Sequence, residues 1–380
     1  MRTLSALSLA VVLVLAAVPA QAVTTFAAAL NGGNERPSTG DPDGTGFALV
    51  IIDPDANTVR WAIFVANIGA PTMAHIHRGT ADVAGSVVVN FNPSFTNGSA
   101  AGTVSVGVAN HALLEEIISN PSGFYVNVHT GDFPAGAIRG QLVAAASNAT
   151  DAVFPIVGRA AGANNTFYRT DISLLNLSGE DTTAVLEYYP AGPSGNTAPS
   201  RIASVDVDAG EQRNLIGDEV QNLLGVGDGL GAIRVLSTRN LTAVARIYND
   251  QRPVDGGTFS QFVPSQSGTQ NRATGALPML ANAGDGAAAS YRTNVGWFNS
   301  AGGDVSVTWQ AHGANGDVLA TTTRTIAGRA QEQVPLGSLF PTLGAVDNVY
   351  VTFTTTGGPI YVYGSVVDNK NGDAIFIPAQ

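Results

Sequence analysis

Phe124-Tyr125-Val126-Asn127-Val128-His129, then Thr130-Gly131-Asp132-Phe133-Pro134, then Ala137-Ile138-Arg139-Gly140-Gln141-Leu142 reads as a strand, a loop and a returning strand. Aromatic and β-branched residues fill the first run, and Gly and Pro mark the loop. Such a hairpin brings Arg139 near His129. The same grammar recurs along the chain: short runs of Val, Ile, Thr, Phe and Tyr set between Asp-Gly, Asn-Gly and Asp-Pro turns, with 44 glycines in 380 residues. The chain is therefore expected to be all-β and antiparallel. One segment departs from this, Asn110 to Ser119, whose apolar residues fall at helical spacing behind Asn110 as N-cap.

Outward from the hairpin, a first unit spans residues 23–146 and ends in the small, polar joint Ser147-Asn148-Ala149-Thr150-Asp151. Beyond it the chain repeats. Phe154-Pro155 through Tyr168-Arg169-Thr170-Asp171 to Asn176 aligns without gaps on Leu277-Pro278 through Tyr291-Arg292-Thr293-Asn294 to Asn299, at a constant offset of 123 residues. Both copies close alike, on Phe262-Val263-Pro264 and on Phe376-Ile377-Pro378. A period of this length marks two whole domains rather than a solenoid. We expect tandem immunoglobulin-sized β-sandwiches over 151–265 and 275–380, joined through the polar segment Gln266 to Thr274.

The N-terminus pairs Arg2 with an apolar run from Leu4 to Val18 and the small-residue site Pro19-Ala20-Gln21-Ala22, which predicts a cleaved signal peptide over 1–22. The mature chain is then secreted or periplasmic, with no transmembrane segment, since polar residues interrupt every later apolar run. It has no cysteine despite that oxidising destination, so packing, β-pairing or metal must hold it together. A net charge of -11 and a single lysine, Lys370, argue against nucleic acid as a partner.

Four of the five histidines lie in the first unit. His75 and His77, in Ala74-His75-Ile76-His77-Arg78-Gly79, are two apart and so share one face of a strand. With His129 they form a candidate metal site, and three imidazoles suit copper or zinc. The alternative is structural: imidazoles that hydrogen-bond carbonyls or each other. Arg139 is either an anion contact or a structural partner. His111 reads as a capping or solvated residue and His312 as a turn residue, while Arg169 and Arg292, at matching positions of the repeat, read as structural guanidiniums. Asp53-Pro54-Asp55-Ala56-Asn57 lacks the glycine and glutamate of a calcium loop. No Gly-x-Ser-x-Gly elbow, phosphate loop or His-Glu-x-x-His helix is present.

Asn34-Glu35-Arg36-Pro37, Ala74-His75-Ile76-His77-Arg78-Gly79 and Tyr125 to Thr130 with Pro134 through Leu142 together resemble the CHRD domain, the module named after chordin, over residues 23–145. In chordin the module belongs to an extracellular antagonist of bone morphogenetic proteins, so the resemblance implies an extracellular β-fold, here an antiparallel β-sandwich or barrel ahead of the two tandem sandwiches. Ala137 stands where the family carries an acidic residue, and no role needing a carboxylate there carries over. The tandem half resembles regions of uncharacterised secreted bacterial proteins.

Three functional readings follow. The first is an exported multidomain binding protein, not an enzyme, whose first unit takes a transition metal or an extracellular protein or glycan. The second is a structural or adhesion-like envelope protein without metal. The third is a copper/zinc enzyme of superoxide-dismutase type, suggested by the order His75, His77, His129, Arg139; the acidic balance and the lack of a disulfide speak against it.

Overall fold

The computed structural model describes residues 23–380 apart from 96–97, 145–149, 163–165, 198, 251, 253–256 and 283–290. The expected signal peptide lies outside the described residues, as do Ser147, Asn148 and Ala149 of the first joint. The chain is all-β, in three antiparallel sheets. Among the described residues no helix is long and apolar enough to cross a membrane.

The first sheet is built from β1 (Thr24–Asn31), β2 (Thr45–Asp53), β3 (Thr58–Ala66), β4 (Pro71–Arg78), β5 (Val87–Asn90), β6 (Ser99–Ser105), β7 (Phe124–Thr130), β8 (Ile138–Gln141) and the short β9 (Val143–Ala144), with α1 (His111–Ser119) between β6 and β7. Its order, β5-β4-β7-β8-β1-β2-β3-β6 with β9 beside β1, curls around a single core. Phe26, Val50, Trp61, Ile76, Leu114, Val126 and Ile138 meet in that core. One sheet thus encloses its own interior, nearer a barrel than two facing layers. The expected helix forms, but Asn110 does not cap it: its amide donates to Val106 O at 2.8 Å from a preceding 3-10 turn. His111 instead bonds Pro54 O through Nδ1, at 3.1 Å.

The second unit comprises β10 (Thr150–Ala161), β11 (Phe167–Asn176), β12 (Thr182–Pro190), β13 (Arg201–Val207), β14 (Gln212–Leu215), α2 (Glu219–Leu224), β15 (Gly229–Ser237), β16 (Leu241–Asp250) and β17 (Thr258–Pro264). The third comprises β18 (Thr274–Asn282), β19 (Tyr291–Phe298), β20 (Val305–His312), β21 (Val318–Ile326), β22 (Gln331–Pro335), α3 (Leu336–Leu339), β23 (Val346–Thr356), β24 (Tyr361–Asp368) and β25 (Ala374–Pro378). Their strand orders are the same, β13-β12-β15-β10-β11-β16-β17 and β21-β20-β23-β18-β19-β24-β25, with β14 and β22 in matching side positions. β10 touches β11 at only two residue pairs and β18 touches β19 at one, so each sheet folds at that corner into two layers, the sandwich expected from the repeat.

The residues that repeat at an offset of 123 prove to be fold determinants. Pro155 and Pro278 cannot donate to a ladder, and the register slips at those points, between Phe154 and Val157 and between Leu277 and Leu280. Thr170 Oγ1 then accepts the amide of Gly158 at 2.8 Å, and Thr293 Oγ1 that of Ala281 at 3.0 Å. Asn176 and Asn299, both fully buried, hold the carbonyls of the turns that follow them. Arg169 pairs with Asp218 and Arg292 with Asn369, as structural guanidiniums do. His312 ends a strand instead of making a turn, stacked on Tyr350 with ring centroids 4.6 Å apart.

The units pack on one another. β12 is buried on both faces: Ala184, Leu186 and Tyr188 enter its own core, while Val185 meets Leu49, Ile51 and Ala62 of the first unit. Tyr189 joins Phe298 and Tyr361 of the third. The Arg329 guanidinium donates to Thr197 O and to Thr103 Oγ1, linking all three units through one side chain.

Candidate metal centre

β4 and β7 are antiparallel neighbours, with Met73 opposite His129, His75 opposite Asn127 and His77 opposite Tyr125. Alternation sends Ala74, Ile76, Val126 and Val128 into the core and leaves Met73, His75, His77, Tyr125, Asn127 and His129 on the other face. β8 extends that face with Arg139 opposite Asn127 and Gln141 opposite Tyr125. A continuous polar stripe therefore lies on the outside of the sheet, and most of it is covered: His75 and His129 are each 7% exposed.

The three imidazoles predicted from sequence come together, each offering a nitrogen within 4.8 Å of the others. His77 Nδ1 donates to Gly85 O at 2.9 Å and His129 Nδ1 donates to Pro134 O at 3.0 Å. Each bond holds a proton on the outer nitrogen and leaves Nε2 with its lone pair, as carbonyl partners do around histidine ligands. Nε2 of His77 is buried without a hydrogen-bond partner. His75 Nδ1 lies 3.2 Å from His129 Nε2. That separation closes a hydrogen bond between neutral rings, and it is also close to the edge of about 3.3 Å between two nitrogens held at about 2.0–2.1 Å by a tetrahedral ion.

Burial sets the charge state. It pushes His75 down to about 4, helped by His129 and His77, and it lowers His77 and His129 as well, against the carbonyl bonds at Gly85 and Pro134. All three rings are neutral at pH 7, the form that ligates.

The support around them is specific. His77 stacks on Tyr125, centroids 4.9 Å apart and planes 10° apart, and the Arg139 guanidinium lies 3.5 Å from the same ring. Arg139 is 1% exposed, and it donates to Val83 O at 3.1 Å, Thr80 O at 2.9 Å and Gln141 Oε1 at 3.0 Å. These bonds tie the guanidinium to the 79–86 loop. Gly85 must be glycine, because a Cβ there would sit 1.5 Å from Arg78 O, and its amide donates to the Tyr125 hydroxyl at 3.1 Å. The loop that presents Gly85 O to His77 is thereby fixed at both ends.

Sequence reasoning left Glu35 and Asn127 without individual roles. Asn34 donates to Arg139 O at 3.1 Å, and the buried Glu35 carboxyl takes a short hydrogen bond from Asn127 Nδ2. Burial raises Glu35 to about 7 despite the nearby charge of Arg139. The signal for Asn127 was present in the period-two series Tyr125, Asn127, His129; Glu35 joins through a loop 92 residues away in sequence and carries no periodic signal.

The order of motifs along these strands, with Asn34-Glu35 packed against β7 and β8, accords with one known module. Residues 26–142 match the family model of the CHRD domain. The family match spans the first unit of the chain. No curated protein matches the chain significantly. A solved structure, Bacteroides ovatus mixed-linkage glucan utilization locus SGBP-B in complex with mixed-linkage heptasaccharide, aligns over 89% of each chain at 10% identity and a TM-score of 0.14, a score on which no argument rests.

Proposed function

We propose that the CHRD unit binds one first-row transition-metal ion, copper or zinc, through His75, His77 and His129, within an exported binding protein that is not an enzyme. The observation that carries this reading is the pre-set polarity of the rings. Two of the three have their outer nitrogen tied to a main-chain carbonyl, the three rings offer nitrogens within 4.8 Å of one another, and one inner nitrogen, Nε2 of His77, is buried with no hydrogen-bond partner. Three neutral ligands on two rigid strands suit an ion that keeps a further position open. The tandem sandwiches, packed on the first unit, act as its spacer. An extracellular protein or glycan would be a partner of the assembled chain.

The 3.2 Å contact between His75 and His129 supports a second reading, in which the imidazoles simply bond each other and no metal enters. Isothermal titration of the metal-free protein with zinc and with copper separates the two. Metal ligation gives one ion per chain and loses it in His77→Ala; a structural pair gives no saturable heat in either protein.

A further inference from the structure

The histidines supply three ligands, and the same strand face offers a fourth donor of different character. Met73 precedes His75 by two residues along β4, so both side chains stand on one side of the sheet. Across the ladder Met73 is registered directly opposite His129, which places their Cβ atoms about 4.5–5.5 Å apart. Two of the three imidazoles are therefore its immediate neighbours, one along the strand and one across it.

Met73 is 44% exposed and takes no part in the apolar core beneath the sheet, which is formed by Ala74, Ile76 and the residues they touch. Its side chain is unbranched, with three rotatable bonds and a polarisable sulfur, so the thioether can turn toward the imidazoles without a core contact being given up. Other side chains on this face are already engaged. Tyr125 is held between His77 and Arg139, and Asn127 donates to Glu35. The chain has no cysteine to compete as a sulfur ligand.

We propose that Met73 contributes its thioether to the ion held by His75, His77 and His129, and that this makes the centre selective for copper, above all cuprous copper, over zinc. The proposal rests on the three-histidine reading. Thioether sulfur is a soft donor that favours Cu(I), whereas zinc in proteins takes imidazole, thiolate and carboxylate. Three imidazoles and a thioether are all neutral, so the set adds no negative charge that would favour a divalent over a monovalent ion.

The test is a pair of affinities on the full mature chain: Zn(II) by calorimetry and Cu(I) by competition with a chromophoric cuprous chelator, for the wild type, Met73→Leu and His75→Ala/His77→Ala. Copper K-edge absorption on the Cu(I)-loaded proteins reads the ligands directly. The expected result is that Met73→Leu keeps the zinc affinity of the wild type, loses roughly tenfold in Cu(I) affinity and loses a sulfur shell that the wild type shows. Equal Cu(I) affinity in wild type and Met73→Leu, with only nitrogen or oxygen around copper in both, overturns the role of Met73 while leaving the histidine centre standing. A wild type that binds neither ion overturns both readings together. Met279, the other described methionine, is 74% exposed in the third unit and is the control for adventitious thioether binding; Met279→Leu is expected to bind both ions as the wild type does.

Discussion

Replacing Glu35 by Gln isolates the cost of keeping an ionisable group beneath the candidate centre. Glu35 is 4% exposed, accepts from Asn127 and from the Arg36 main-chain amide and lies near the Arg139 charge, and burial raises it from an ordinary 4.5 to about 7. A folded-state value above the unfolded one means that the native protein binds the proton more tightly. The stabilisation is fully present below about pH 4.5 and is lost as pH rises toward 7. At about 1.36 kcal/mol per unit the interval corresponds to ~3 kcal/mol, reduced toward ~2 kcal/mol by residual solvent screening. Glutamine keeps the acceptor for Asn127 and cannot ionise. Glu35→Gln should therefore match the wild type at pH 4.5 and exceed it by about 2–3 kcal/mol at pH 8. Equilibrium urea unfolding of the full chain at both pH values, followed at the β7 amides by hydrogen-exchange mass spectrometry, reads the difference. A stability gap between the two proteins that does not change with pH would refute the reasoning.

Arg139→Met removes the donors that hold Thr80 O and Val83 O; we expect a loss of about 2–4 kcal/mol and faster exchange across residues 79–86, measured by the same mass spectrometry. Thr170→Val leaves the buried amide of Gly158 without its acceptor, at a cost of about 1–3 kcal/mol, checked by thermal unfolding. Gly296→Ala would place a Cβ 2.1 Å from the Tyr363 ring, an overpacking that should cost about 1–3 kcal/mol or more; calorimetry of wild type and variant measures it.

The class of fold and the duplication were legible because period-two patterning and a constant offset are local properties of the chain, and both copies did produce the same strand order. The function of the repeated residues was not legible: nothing in Pro155 and Thr170 alone says that one opens a bulge and the other satisfies the freed amide, since their contact spans a corner between layers. The pairing of His75 with His77 followed from strand geometry. His129 was named as the third ligand from the strand it ends, and the β4–β7 register sets it opposite Met73, beside His75. Arg139 could be read two ways because sequence does not reveal that the side chain is buried and bonded to the Val83 carbonyl. Asn110 failed as a cap because a 3-10 turn precedes the helix and turns its side chain back to Val106. Met73 carried no signal until its register with His129 was known.

The central claim is that three neutral imidazoles on β4 and β7 form one metal site. Elemental mass spectrometry of the mature protein, loaded separately with copper and with zinc and then dialysed, tests it beside His75→Ala/His77→Ala. The account predicts close to one ion per chain in the wild type and none in the variant; a wild type that emerges free of metal, or a variant that retains it, would contradict the site.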